Sequence, residues 1–143
     1  MLHLVKMAVG IESVHHLQAV QKKRLKGNLD AGLGPLIQFV TRNRPKRFDE
    51  VLAGGSMYWI IKGSIRVRQR VLGLDPVADH DGRKACAIRF DPELVETEAQ
   101  PYKPIQGWRY LEAEEAPPDR AGSEDADDLP PAMRAELRAL GLL

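Results

Sequence analysis

The chain has 143 residues, of which 43% are apolar and 29% charged, and this composition is typical of one globular domain rather than a fibrous or wholly disordered chain. The single cysteine, Cys86, has no partner for an intramolecular disulfide and cannot form a multi-cysteine zinc site. The longest apolar run, residues 57–61, is far shorter than the roughly 20 residues that cross a bilayer, and no signal-peptide layout is present. We therefore expect a cytoplasmic protein with no membrane association.

Charge is segregated along the chain, although the net charge is only +1. Residues 1–72 contain 13 Lys and Arg against 4 Asp and Glu, whereas residues 73–143 contain 8 against 16. The pattern predicts either a basic binding surface beside an acidic tail, or two oppositely charged faces that meet in the fold.

The hydrophobic pattern predicts a single α+β domain over residues 1–111. Residues 3–9 are a predicted strand, and Ser13 is the expected N-cap of an amphipathic helix over residues 14–26, which Gly27 would close. Further strands are predicted at residues 36–40, 57–61, 65–74, 85–90 and 106–111, and a second short helix at residues 48–53. Residues 57–61 are apolar on both faces, which favours a central strand. We expect a small mixed or mostly antiparallel sheet that is partly barrel-like, with both helices in the N-terminal half.

An acidic tail is predicted after this domain. Residues 112–131 contain eight Asp and Glu and four Pro, so they are interpreted as a flexible linker. Residues 132–143 are predicted to form a short helix whose apolar stripe, Met133, Leu137 and Leu140, suits docking on its own domain or on a partner.

A row of arginines is the strongest functional signal. Arg66, Arg68 and Arg70 alternate along the predicted strand 65–74, which places their side chains on one face about 6.6 Å apart. Such a row suits the backbone of a polyanion. The alternative is that these arginines pair with a carboxylate of a neighbouring strand, such as Glu96 or Glu98, and have a structural role.

A basic loop over residues 42–47 and the aromatic residue Trp108 add to the evidence for nucleic-acid binding. Trp108 is a candidate platform for an unpaired base, because aromatic rings stack on bases while cations contact phosphates. Trp59 is more typical of a core residue. The predicted nucleic-acid-binding residues are therefore Arg42, Arg44, Lys46, Arg47, Arg66, Arg68, Arg70, Trp108 and Arg109.

No catalytic residue, metal ligand or cofactor is predicted. Residues 79–82, Asp-His-Asp-Gly, are typical of a tight turn, and Cys86 lies between two alanines in a predicted strand, as a buried structural thiol would. An enzyme would need an acid or base such as Asp49, Glu50 or His80 beside the arginines, and nothing in the sequence places these groups together.

Four segments resemble a known family: MLHLVKMAVGIESV at residues 1–14, TRNRPKRFDEVLAGGSMYWIIKGSIRVRQRVLGLD at 41–75, RFDPELV at 89–95 and PIQGWRYL at 104–111. They are similar to an alphaproteobacterial family known as domain of unknown function 1489. The resemblance covers residues 1–111 and implies a bacterial, cytoplasmic, single-domain protein without implying an activity.

A weaker fold-level likeness is to the small β-barrels of the PUA, ASCH and EVE type, which bind RNA or modified bases. It depends on a helix that ends in glycine before basic strands, as in RFDEVLAGG followed by YWIIKG and IRVRQR. The Gly-x-Lys-x-x-Glu-x-Arg pattern of the ASCH group is absent, so no ligand-binding residues are carried over.

These observations favour a non-enzymatic domain that binds RNA or another nucleic acid through its basic face. A protein-interaction module that docks through its C-terminal helix is one alternative. A small enzyme acting on a phosphorylated or nucleotide substrate is another.

Overall fold

The computed structural model describes residues 1–32 and 37–120. Within them the chain forms a six-stranded sheet with two helices. The elements in chain order are β1 (Leu2–Met7), α1 (Val14–Asp30), β2 (Ile37–Thr41), α2 (Phe48–Leu52), β3 (Ser56–Ile61), β4 (Ser64–Ala78), β5 (Lys84–Pro101), β6 (Trp108–Glu112) and a 3₁₀ helix (Ala113–Glu115). No helix in these residues is long and apolar enough to cross a membrane.

The sheet is mixed, with strand order β2-β5-β4-β3-β1-β6. The β1–β3 pair is parallel and the other pairs are antiparallel, which confirms the prediction of a mixed sheet. The expected partial barrel is not found in the described residues, because the edge strands β2 and β6 do not pair and the sheet stays open. The chain leaves the ladder after Thr41 and passes through Pro45, which has no backbone N–H to donate to a neighbouring strand.

The central strand β3 is buried on both faces, as the sequence predicts. Met57, Trp59 and Ile61 point to the side covered by α1 and α2, which we call the helix face. Tyr58 and Ile60 point to the opposite side. The core is therefore two clusters separated by the sheet.

Helix α1 begins where the sequence predicts and ends later. The Ser13 hydroxyl accepts a hydrogen bond from the His16 amide at 3.0 Å, as an N-cap does. The helix continues through Gly27 to Asp30, so the predicted end at Gly27 is wrong. The chain turns at Gly32, which adopts a φ of 76° that favours glycine.

A buried polar network joins α1 to the sheet. The side-chain amides of Gln21 and Gln69 donate to each other at 2.9 and 2.7 Å. The oxygen of Gln69 also accepts from the Trp59 indole N–H at 3.2 Å, and its amide nitrogen donates to the Asp91 carbonyl at 2.8 Å. The network fixes the position of α1 against β4.

Strands β4 and β5 form a hairpin longer than predicted. The Asp79 carboxylate accepts from the amides of Asp81 and Arg83, both at 2.9 Å, which confirms the predicted turn. The register shifts around Val71, so β5 continues through Pro92 in an irregular part of the ladder where a missing N–H is tolerated. The long hairpin carries Lys84 and Pro76 beyond the core of the sheet.

Residues 113–120, which we call the strap, pack on the sheet face opposite the helices. Ala116 contacts the Tyr58 cluster, and Asp119 forms a β-bridge with Thr97. We call this side of the sheet the strap face. The structure differs here from the predicted linker over residues 112–131, whose beginning is packed. The rest of that linker and the predicted helix at residues 132–143 lie outside the described residues.

Candidate nucleic-acid interface

A cleft of about 890 Å³ opens at one end of the sheet. Its walls come from the loop after β2, the outer end of the β4–β5 hairpin, and Trp108 and Tyr110 of β6. At this end the loop after β2 is joined to β6, since the Trp108 indole N–H donates to the backbone carbonyl of Asn43 at 2.8 Å. We call this space the cleft.

Two aromatic rings form one wall of the cleft. Trp108 and Tyr110 are two residues apart on β6, so they share a face. Their centroids are 4.9 Å apart in an edge-to-face arrangement. The Tyr110 hydroxyl accepts from the Arg47 amide at 3.1 Å, and the Trp108 indole is held by Asn43. Both rings are therefore positioned without a ligand.

Arg42 and Arg44 line the cleft but also hold its walls together. Arg42 donates to the Asp79 carboxylate at 2.8 Å and joins the loop to the hairpin turn. The Arg83 amide and the Arg42 guanidinium lower the pKa of Asp79. Arg44 donates to the Leu74 carbonyl at 2.8 Å and stacks over the Phe48 ring.

The positive charge of Arg47, which lies beside the cleft, is compensated by two carboxylates. Its guanidinium makes two hydrogen bonds to the Glu50 carboxylate and lies 3.4 Å from Glu112. The hydrogen bond to Glu50 raises the pKa of Arg47, and the same contact lowers the pKa of the Glu50 carboxyl. Arg47 therefore positions α2 against β6 and offers little free charge.

Lys46 and Lys84 are the cationic side chains of the cleft lining without a hydrogen-bond or ion-pair partner in the described residues, whereas Arg44, which also lacks a carboxylate partner, is held by the Leu74 carbonyl. Both side chains are exposed and line the cleft, and neither has an acidic partner within residues 1–32 and 37–120. Lys84 is absent from the predicted site. Its role arises because the hairpin brings the start of β5 opposite the loop, and no local sequence signal indicates that approach.

The arginine row lies elsewhere. Arg68 makes two hydrogen bonds to the Asp119 carboxylate at 2.7 and 2.8 Å on the strap face. The predicted alternative of a structural ion pair thus holds for Arg68, although the partner is on the strap and Glu96 pairs with Arg120 instead. The predicted basic residues therefore do not form one continuous surface.

The remaining arginines of the predicted site are also not among the residues that line the cleft. Arg66 donates to the Ile61 carbonyl at 3.3 Å beside a register shift in β4. Arg109 donates to the carbonyls of Gln106 and Trp108, and strand alternation directs its side chain away from Tyr110. Arg70 is exposed, with no hydrogen-bond or ion-pair partner in the part of the chain that the structure describes.

Acid–base groups do not converge on the cleft. Asp49, Glu50 and His80 are not among its lining residues, and His80 lies beside Asp81 at the exposed hairpin turn. Cys86 is fully buried, as predicted, and burial raises the pKa of its thiol. Across the described ranges no group of three or more His, Cys, Asp or Glu side chains is arranged to hold a metal ion.

One comparison with known proteins gives a match. A family model described as "Protein of unknown function (DUF1489)" matches residues 4–143. The match extends beyond the resemblance expected over residues 1–111 and includes the C-terminal residues. No curated protein and no solved structure matches the chain.

Proposed function

We propose that this chain, which belongs to the DUF1489 family of proteins of unknown function, binds single-stranded nucleic acid, RNA in particular, through the cleft. The observation that carries the proposal is the meeting of two fixed aromatic rings with two unpaired lysines in one open space. Stacking rings and mobile cations are the two components that unpaired nucleic acid requires.

The charges of the cleft favour an anionic ligand. Arg42, Arg44, Lys46 and Lys84 line it, and its lining includes no carboxylate among the described residues. Phosphate contacts supply most of the affinity of nucleic-acid-binding proteins. Lys46 comes from the loop after β2 and Lys84 from the start of β5, so two separate elements supply cations for the phosphates of a bound strand.

The aromatic wall favours unpaired bases. Trp108 is partly exposed beside the lysines, and a base can stack on it only when the base has left a duplex. The cleft is open at one end of a rigid sheet, which suits a strand that enters and leaves. The proposal therefore predicts a preference for single strands over duplexes.

The test measures binding by fluorescence anisotropy with labelled single-stranded RNA, duplex RNA and duplex DNA at two salt concentrations. We expect the single strand to bind most tightly. The double variant Lys46→Glu/Lys84→Glu should weaken its binding at least about tenfold and reduce the salt slope by about 1.4, since each lost phosphate contact removes about 0.7 for a single strand.

A matched control separates the cleft from overall charge. Lys22→Glu/Lys23→Glu makes the same change in net charge on the exposed side of α1 and should leave the salt slope nearly unchanged. Tryptophan quenching supplies a second readout, because Trp59 is only 3% exposed and Trp108 dominates any quenching by a ligand. Equal losses in both double variants, or no binding at low salt, would overturn the proposal.

A further inference from the structure

A second group of hydrogen-bond donors lies on the strap face, on three neighbouring strands. In the β3–β4 register Ser56 is directly opposite Arg70, and on the other side of β3 the Ser56 amide donates to the His3 ring at 3.0 Å. Neighbouring strands are about 4.8 Å apart. The short Ser56 side chain therefore lies between the longer side chains of His3 and Arg70 on this face.

The His3 ring presents an N–H that has no partner. Its Nδ1 accepts the Ser56 amide hydrogen bond, so the neutral ring carries its proton on Nε2. Burial lowers the pKa of His3 and the nearby Arg68 guanidinium lowers it further, which keeps the ring neutral. His3 is 6% exposed, and no hydrogen-bond acceptor for Nε2–H occurs among the described residues.

Ser56 is a second buried donor without an acceptor. It is 1% exposed, and its hydroxyl oxygen accepts only a long 3.4 Å contact from Arg68. Within the described ranges its O–H has no acceptor. A buried donor without an acceptor costs free energy that folding does not recover, so two such donors side by side indicate a ligand that supplies acceptors.

The neighbouring arginines favour an anionic ligand at this position. Arg68 already binds a carboxylate, that of Asp119 on the strap, through two hydrogen bonds. Asp119 thus marks where an oxyanion sits on this face and cancels the charge of Arg68. Arg70, two residues along the same strand face, keeps its full charge without a partner in the described residues.

We propose that His3, Ser56 and Arg70 form a binding site for a phosphate group on the strap face, distinct from the cleft. The His3 N–H and the Ser56 O–H each donate to one phosphate oxygen, and the Arg70 guanidinium donates to a third and neutralises charge. A tetrahedral phosphate offers acceptors in all three directions, whereas a planar carboxylate has two oxygens. The site requires no contribution from Lys46 or Lys84.

The test is a titration of the full-length protein with inorganic phosphate, followed by ¹H–¹⁵N NMR of the Ser56 amide, the His3 ring and the Arg70 side chain. Sodium chloride at equal ionic strength is the reference. We expect saturable shifts at these three groups with phosphate and none with chloride. Adenosine 5′-monophosphate, adenosine, and single-stranded RNA with and without a 5′-phosphate then distinguish free phosphate, a nucleotide and a strand end as the source.

Matched variants decide whether the site is specific. Arg70→Gln should weaken phosphate binding at least about tenfold, the change expected when one charge-assisted contact is lost. Arg66→Gln removes the same charge from the same strand and should leave the affinity unchanged. Ser56→Ala, which keeps the amide bond to His3, should weaken binding without changing the fold.

Three outcomes would overturn the proposal: shifts that do not saturate, shifts that chloride reproduces, or equal losses of affinity in Arg66→Gln and Arg70→Gln. The Lys46→Glu/Lys84→Glu variant should still bind phosphate at His3. Failure of nucleic-acid binding at the cleft and failure of the phosphate site can therefore be told apart.

Discussion

Gln69 has no exposed surface, and all four hydrogen-bonding positions of its amide are used. Its partners come from α1, β3 and β5, so one side chain ties three elements to β4. A polar residue in this position specifies one arrangement of α1, because any shift of the helix would leave Gln21 and Gln69 unpaired. The hydrophobic periodicity of α1 predicts which side of the helix is buried, but it does not predict the pairing of Gln21 with Gln69.

Gln69→Leu should lower the free energy of unfolding by about 3 kcal/mol, since it leaves the Gln21 amide, the Trp59 N–H and the Asp91 carbonyl without partners in the core. Urea unfolding followed by tryptophan fluorescence measures the change. Gln18→Leu makes the same substitution at an exposed position on α1 and should change stability by less than about 0.5 kcal/mol. A small effect at Gln69 would mean that water or side-chain rearrangement replaces the lost bonds.

At the scale of elements, the junction between α2 and β3 depends on close backbone packing. The Gly55 amide donates to the Val51 carbonyl at 2.7 Å, and its carbonyl accepts from the Val71 amide at 3.1 Å. A Cβ at Gly55 would lie 2.2 Å from the Leu2 carbonyl oxygen and 2.6 Å from that of Val51. The absence of a side chain therefore lets α2 sit against β1 and β3 together.

Gly55→Ala should destabilise the protein by at least about 2 kcal/mol, because the new methyl group meets rigid backbone and must separate α2 from β1. Gly27→Ala is the matched comparison, since a Cβ at this helical glycine meets nothing within 4 Å. It should stabilise by about 0.5–1 kcal/mol through helix propensity. Thermal and urea unfolding measure the change in the free energy of unfolding for both variants, which we expect to fall for Gly55→Ala and to rise for Gly27→Ala. Similar changes at the two positions would contradict the packing argument.

At the scale of the whole molecule, the charge segregation is partly resolved inside the fold. Cations from the first half pair with carboxylates from the second half in Arg42–Asp79, Arg47–Glu112 and Arg68–Asp119. These pairs join the two halves of the chain in the described residues, and the predicted choice between a basic surface beside an acidic tail and two charged faces that meet stays a prediction. Lys46, Lys84 and Arg70 are among the cations whose side chains have neither a carboxylate nor a carbonyl partner there.

The strap is part of the folded unit, so the position of a truncation matters. A chain of residues 1–111 should be less stable than one of residues 1–120 by at least about 1 kcal/mol. It loses the packing of Ala116 and the buried Pro117 and leaves Arg68 without Asp119. Urea midpoints of the two chains test this. Equal midpoints would show that the strap adds no stability to the sheet.

Most element positions could be predicted from the sequence because their signals are local. Ser13 marks a helix start through a bond to a residue three positions away, and the Asp79 turn closes within four residues. The apolar run of β3 likewise carries its own evidence of burial on both faces. The end of α1 was missed because glycine at position 27 is tolerated in a helix, and the left-handed turn falls at Gly32.

The sequence by itself determined the class of fold, the buried central strand and the family. Only the tertiary structure decided which cations are free. Arg68 finds its carboxylate 51 residues away and Arg47 finds Glu112 65 residues away, and such pairings leave no periodic trace in the chain. Long-range contacts thus divide the predicted basic residues between the cleft, where Lys84 joins Lys46 as a second unpaired lysine, and the strap face, where Arg70 is unpaired.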